Sequence, residues 1–168
     1  MGSNLLKEYN EIVGLFTQMV ERRLEGTITS LAIYGSVARG NVKTGSDIDF
    51  LLIGEDLPEN YHERVDMILP ILDEIERSDP YLNVTERGAP VDIQFLILSK
   101  EEAKQTRPVF IDMVEDARIE FDDGFLREKL DQIRERMAEL GSKRVYLSDG
   151  SWYWDLKPDL VPGEVFEI

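Results

Sequence analysis

The 168-residue chain sets 34 acidic against 19 basic residues, a formal net charge of −15, and contains no cysteine and a single histidine, His62. That composition excludes disulfides, thiolate catalysis and zinc sites built from Cys or clustered His, and its acidity disfavours long nucleic acid, whose affinity for protein rests on phosphate neutralisation. With 42% hydrophobic and 32% charged residues the balance is that of one folded globular domain. Neither a ~20-residue apolar span nor a basic start followed by an apolar signal core is present, and the cytoplasm is the expected location.

Apolar residues Leu5, Tyr9, Ile12, Val13, Phe16, Val20 and Leu24 recur at helical spacing before Gly26, which predicts an opening amphipathic helix. Thr27 to Tyr34 is rich in β-branched and apolar residues and reads as a strand running into Gly35 and Ser36. Asp47 to Ile53 alternates, with Ile48, Phe50 and Leu52 on one face and Asp47 and Asp49 on the other. A helix follows over Glu59 to Arg77, with Val65, Ile68, Leu69, Leu72 and Ile75 inward and a kink or break at Pro70. Tyr81–Glu86 and Val91–Leu98 read as two strands joined into a hairpin by Arg87, Gly88, Ala89 and Pro90.

Ser99 and Glu102 form a capping-box signal for the next helix. Thr106-Arg107-Pro108 interrupts it and starts another, running to about Glu115. A short strand over Arg118–Phe121 precedes a last helix over Gly124–Leu140, striped by Leu126, Leu130, Ile133, Met137 and Leu140 and ended by Gly141. These elements give an α/β (α+β) fold, a mixed sheet of about four to five strands flanked by helices. Residues 1–141 form the domain. Residues 142–168 form a loop-like aromatic tail containing Trp152, Tyr153, Trp154 and Phe166, expected to pack on that domain; the alternative is a docking arm, since Trp and Tyr are enriched at interface hot spots.

The chemistry concentrates in residues 35–49, GSVARGNVKTGSDID. Gly35 lets the backbone turn and approach a phosphate, Ser36 supplies a short hydroxyl, and Arg39 and Lys43 can neutralise phosphate oxygens. Asp47 and Asp49, crowded on one strand face, suit Mg²⁺, which binds through one or two carboxylates plus waters and substrate phosphates.

Gly-Ser, ten residues, then Asp-x-Asp, from Gly35 and Ser36 to Asp47 and Asp49, resembles the signature of nucleotidyltransferases of the DNA polymerase beta superfamily. Within it, GSVARG followed by SDID looks most like the minimal nucleotidyltransferases, compact prokaryotic proteins often paired with HEPN-domain toxins. The resemblance implies transfer of a nucleoside monophosphate, AMP from ATP, to a hydroxyl acceptor with release of pyrophosphate, the acceptor being a HEPN-type partner protein. It implies two Mg²⁺ ions held by Asp47 and Asp49 and by a third carboxylate on a neighbouring strand. Asp92 matches that position best, with Glu86 as runner-up. Gly35, Ser36, Arg39 and Ser46 then surround the nucleotide phosphates.

Two other readings belong beside this one. Antibiotic-modifying relatives act on small hydroxylated compounds, and they usually carry a further helical substrate domain, for which this sequence has little room. A non-catalytic antitoxin or binding module would have lost the chemistry, whereas Ser36, Asp47 and Asp49 are all intact.

Overall fold

The computed structural model describes residues 2–86, 88 and 90–168. Helix α1 (Gly2–Arg23) leads into strand β1 (Ile28–Tyr34), a single helical turn α2 (Gly35–Ala38) and strand β2 (Ile48–Gly54). Helices α3 (Tyr61–Ile75) and α4 (Asp79–Thr85) carry the chain to β3 (Ile93–Ser99). Then follow α5 (Lys100–Lys104), α6 (Pro108–Asp116), β4 (Arg118–Asp122) and α7 (Phe125–Glu139), and last β5 (Lys143–Tyr146) and β6 (Trp152–Asp155).

The central sheet has the order β3-β2-β1-β4. β1 runs antiparallel to β2 and to β4, and β2 runs parallel to β3, so the sheet is mixed, with four strands. A parallel pair needs a long crossover, and α3 with α4 provides it. Because successive side chains alternate across a strand, β2 feeds both faces. Ile48, Phe50 and Leu52 join one core with Tyr9, Ile12, Phe16 and Val20 of α1. Leu51 and Ile53 join a second with Phe110 and Met113 of α6 and Leu126 and Ile133 of α7. Phe16 stacks on Phe50 with ring centroids 4.1 Å apart, which locks α1 to the strand that carries Asp49.

Several expectations are corrected. Residues over Tyr81–Glu86 form the helix α4 rather than a strand, and β3 pairs parallel with β2, so no hairpin joins the two segments. Asp79-Pro80 supplies a helix start, and Tyr81 and Val84, three residues apart, sit in the α1-side core. Arg87 and Ala89 of the expected turn lie outside the described residues. Helix α3 passes through Pro70 unbroken; Pro70 is exposed, on the solvent side of the helix. The buried face of α3 is Arg64, Ile68, Ile71 and Ile75, so Leu69, 47% exposed, points out instead of in. The region after Gly141 is not simply loop, since β5 and β6 pair as an antiparallel hairpin. Trp154, Leu156 and Ile168 pack against the second core, and Trp154 Nε1 donates to Asp112 at 3.2 Å.

The capping box is present as expected, with Ser99 and Glu102 bonded reciprocally. Glu102 also accepts from the buried Arg64 guanidinium at 2.5 Å. Arg64 donates further to the Pro58 carbonyl at 2.6 Å, so the charge buried in α3 is satisfied by the loop before the helix and by the cap of α5. No helix among the described residues is long and apolar enough to cross a membrane.

Candidate active site

The end of β1 and the start of β2 make the site. Tyr34, the last residue of β1, is the register partner of Asp49, and Asp49 is in turn the partner of Gln94 on β3. The chain then leaves β1 through Gly35 at φ 72°, a left-handed conformation that only glycine adopts freely. A Cβ at this position would lie under 3.0 Å from Asp49 Oδ2 and 3.4 Å from its Cγ. The Asp49 carboxylate is therefore seated directly on the Gly35 backbone, and Gly35 is required by both the turn and the approach.

The loop between α2 and β2 is pinned from two sides. The Lys43 amide donates to Ser46 Oγ at 2.9 Å, and the Ser46 amide donates to the Lys43 carbonyl at 3.0 Å. From α1, the hydroxyl of Tyr9 donates to the Ser46 carbonyl at 3.0 Å. Ser46 thus shapes the loop with its own hydroxyl and sets the position of Asp47, which is exposed just before β2. Asp92 stands next to it, at the start of β3: its carbonyl accepts from the Ile48 amide at 2.9 Å, and its carboxylate accepts from Gln94 Nε2 at 3.2 Å. Glu86, the runner-up, is the C-cap of α4 and is not on a strand.

Electrostatics ties these groups together. Burial pushes the Asp49 carboxyl above the usual carboxylate range, and the Asp47 and Asp92 carboxylates push it further, while only Arg39 draws it down. Burial also raises the Tyr34 hydroxyl, with Asp49 adding to the effect. Two carboxylates repelling a third against one guanidinium leave Asp49 short of positive charge.

That deficit fits a divalent cation. Among the described residues no group of three or more His, Cys, Asp or Glu side chains is placed to hold a metal ion by itself. A pair of carboxylates completed by phosphate oxygens and water is the donor set Mg²⁺ accepts. Asp47 and Asp49 fit a Mg²⁺ that arrives with a nucleotide better than one held in an all-protein cage.

A cleft of about 710 Å³ opens beside Ser36, Arg39 and Lys43, and its other wall is the β5–β6 hairpin, through Arg144, Tyr146 and Trp152. Arg39 pairs with Asp116, the last residue of α6, at 3.3 Å. The hairpin residues were not among the sequence-predicted site, because nothing in their local pattern marks them and they reach the cleft only through tertiary packing.

A search among curated proteins finds no match. Among solved structures, a spectinomycin adenyltransferase from Enterococcus faecialis, crystallised with ATP and spectinomycin, is similar in fold: it is 12% identical, aligned over 79% of this chain and 66% of that one, with a TM-score of 0.53. A toxin–antitoxin crystal structure with AMP-PNP aligns over 79% of this chain and 91% of that one at 13% identity and a TM-score of 0.46. The family model described as the nucleotidyltransferase domain matches residues 15–148, a span that runs from α1 through the Gly35–Asp49 loop to the first strand of the hairpin. On that match over most of its length, the chain belongs to the nucleotidyltransferase domain family.

Proposed function

We propose that the chain transfers AMP from ATP to a hydroxyl group, releasing pyrophosphate, and that the acceptor is a side chain of a HEPN-type partner protein. The observation that carries the reading is the Asp49 carboxylate seated on Gly35, in mutual repulsion with Asp47 and Asp92. A folded protein keeps such an arrangement, which costs stability, where a ligand's charge offsets it.

Asp47 and Asp49 would hold Mg²⁺, which when bound neutralises phosphate charge and fixes the α-phosphate for in-line attack. The chain's own groups supply the rest. Gly35 brings backbone close to the phosphates, and Ser36 offers its hydroxyl. Arg39, already within reach of Asp49's field, supplies a fixed positive charge. The acceptor oxygen forms a bond to the α-phosphorus as the bond from that phosphorus to the α,β-bridging oxygen breaks, and pyrophosphate departs with the electron pair. The hydroxyl proton passes to Asp92, exposed at the start of β3. Most of the rate then comes from positioning and charge placement. The protein acceptor is supported by the resemblance of GSVARG and SDID to the minimal nucleotidyltransferases.

The test is a pair of labelling reactions with Mg²⁺ and the product of the neighbouring gene, one with ATP labelled at the α-phosphate and one at the γ-phosphate. Label entering the partner from the α position alone, and lost with Asp49→Asn, is the expected result. Label from the γ position, or transfer undiminished in Asp49→Asn, refutes it. Label on a small hydroxylated compound and on no protein replaces the protein acceptor with the antibiotic-type one.

A further inference from the structure

The amide, hydroxyl and carbonyl of Ser46 are all hydrogen-bonded. The first two close the turn on Lys43, at 3.0 Å to its carbonyl and 2.9 Å from its amide. The third bond comes from far away in the chain: the Ser46 carbonyl accepts from the Tyr9 hydroxyl at 3.0 Å, across 37 residues. Tyr9 stands on α1 with its side chain wholly buried, in one core with Ile12, Val13, Phe16 and Val20 of the same helix. A buried tyrosine needs a partner for its hydroxyl, and here the partner is the loop that carries Asp47. Burial raises the Tyr9 hydroxyl above its ordinary range, and the Asp47 carboxylate adds to the rise, so the group stays a neutral O–H beside that acid.

The Tyr9 bond falls on the peptide group that precedes Asp47. A peptide is planar, so the direction of the Ser46 carbonyl also fixes that of the Asp47 amide. The peptide after Asp47 is held as well, because its amide, that of Ile48, donates to the Asp92 carbonyl at 2.9 Å. Two fixed planes on either side of one Cα determine its φ and ψ, and with them the direction of the Cα–Cβ bond. Asp47 stands before β2 and is exposed. Its aim therefore depends on these two bonds rather than on packing around the carboxylate. One bond comes from Asp92 at the start of β3, the other from the buried stripe of α1.

We infer that Tyr9 is a positioning residue of the site: through the Ser46 carbonyl, its hydroxyl sets the direction of the Asp47 carboxylate. Helix α1 then serves the chemistry as well as the core. This rests on the proposed reading of Asp47 and Asp49 as the carboxylates that hold Mg²⁺ with the nucleotide.

Tyr9→Phe removes one oxygen and leaves the ring in place. Calorimetric titration of the folded full chain with the α,β-methylene analogue of ATP, once in Mg²⁺ and once in chelator, distinguishes a positioning role from a merely structural one. Tyr9→Phe is expected to weaken binding in Mg²⁺ roughly fivefold or more, the size of one neutral hydrogen bond, and to leave binding in chelator at the wild-type value. Val20→Ala is the control. It loosens α1 in the same core, about 16 Å along the helix from Tyr9, and is expected to lower Tm while keeping the wild-type affinity in Mg²⁺. Equal affinity of Tyr9→Phe and wild type in Mg²⁺ overturns the inference. So does weakening of the same size in chelator, or in Val20→Ala, because the packing of α1 and not the aim of Asp47 would then account for it. A wild type that binds the analogue equally in Mg²⁺ and in chelator overturns the metal-ligand reading of Asp47 and Asp49, and the inference with it; a wild type that needs Mg²⁺ while Tyr9→Phe matches it overturns the inference alone.

Discussion

Replacing Gly35 with alanine separates the site from the fold. Two costs follow from the geometry. At φ 72° an alanine pays the left-handed penalty of about 1–2 kcal/mol, which for a domain of this size lowers Tm by roughly 2–8 °C. The second cost falls on Asp49. The new Cβ would lie under 3.0 Å from Oδ2, and ordinary contact begins at 3.4 Å, so the carboxylate must retreat by at least about 0.4 Å, twice the ~0.2 Å tolerance of metal–ligand distances. Calorimetric titration with ATP and Mg²⁺ on folded Gly35→Ala is expected to show affinity reduced tenfold or more, equivalent to about 1.4 kcal/mol, while binding in chelator matches the wild type. A variant that binds ATP in Mg²⁺ as tightly as the wild type refutes the role of the Gly35–Asp49 contact. Loss that appears only together with unfolding makes the contact structural.

Other positions yield independent tests. Asp49→Asn, in metal-free buffer, removes a half-buried charge repelled by Asp47 and Asp92 and is expected to melt at or above the wild-type temperature; a marked fall in Tm would make Asp49 a structural residue. Gly14, inside α1, has no heavy atom within 4 Å of where a Cβ would stand, so Gly14→Ala should stabilise by about 0.5–1 kcal/mol through helix propensity, read as a rise in denaturation midpoint. The hydrogen bond from Arg64 holds the Glu102 carboxyl below the ordinary carboxylate range. Its folded value is depressed, so the stabilisation is present above the unfolded value near 4.3 and is lost as pH falls through the folded one. Glu102→Gln should therefore cost about 1–2 kcal/mol at pH 7, discounted for the partial exposure of Glu102, with the difference from wild type closing in acid; a constant difference across that range would contradict it. Trp154→Ala, which empties a partly buried contact with the second core and releases Asp112, is expected to lower stability by about 1–3 kcal/mol, measured by urea denaturation.

The loop from Gly35 to Asp49 was legible in the sequence because its chemistry is local: a strand end, a glycine that must turn, and two acids at strand spacing in one stretch of fifteen residues. Helix α1 and helix α7 were legible for a similar reason, since each repeats one apolar stripe over four or more turns. Tyr81–Glu86 misled because Tyr, Val and Thr carry β-propensity, and in a segment this short the start signal at Asp79-Pro80 and packing on α1 decide the outcome. Leu69 and Ile71 exchanged places because a stripe in a helix that contains proline can be drawn through either neighbour, and the tertiary contacts with the sheet chose Ile71. The hairpin escaped because strands of four residues give too little alternation to read. Arg144 gains its meaning from Asp116, 28 residues earlier, and no sequence pattern reveals such a pairing.

Asp47 and Asp49 are proposed to bind a divalent cation together with a nucleotide. Manganese substituted for magnesium makes this visible, since free Mn²⁺ has an electron paramagnetic resonance signal in solution that broadens on binding. Titrating Mn²⁺ into the protein with the α,β-methylene analogue of ATP is predicted to remove the free-ion signal beyond what the analogue alone removes, and Asp47→Asn or Asp49→Asn should abolish that excess. Equal signal loss with the wild type and with both variants would contradict the claim.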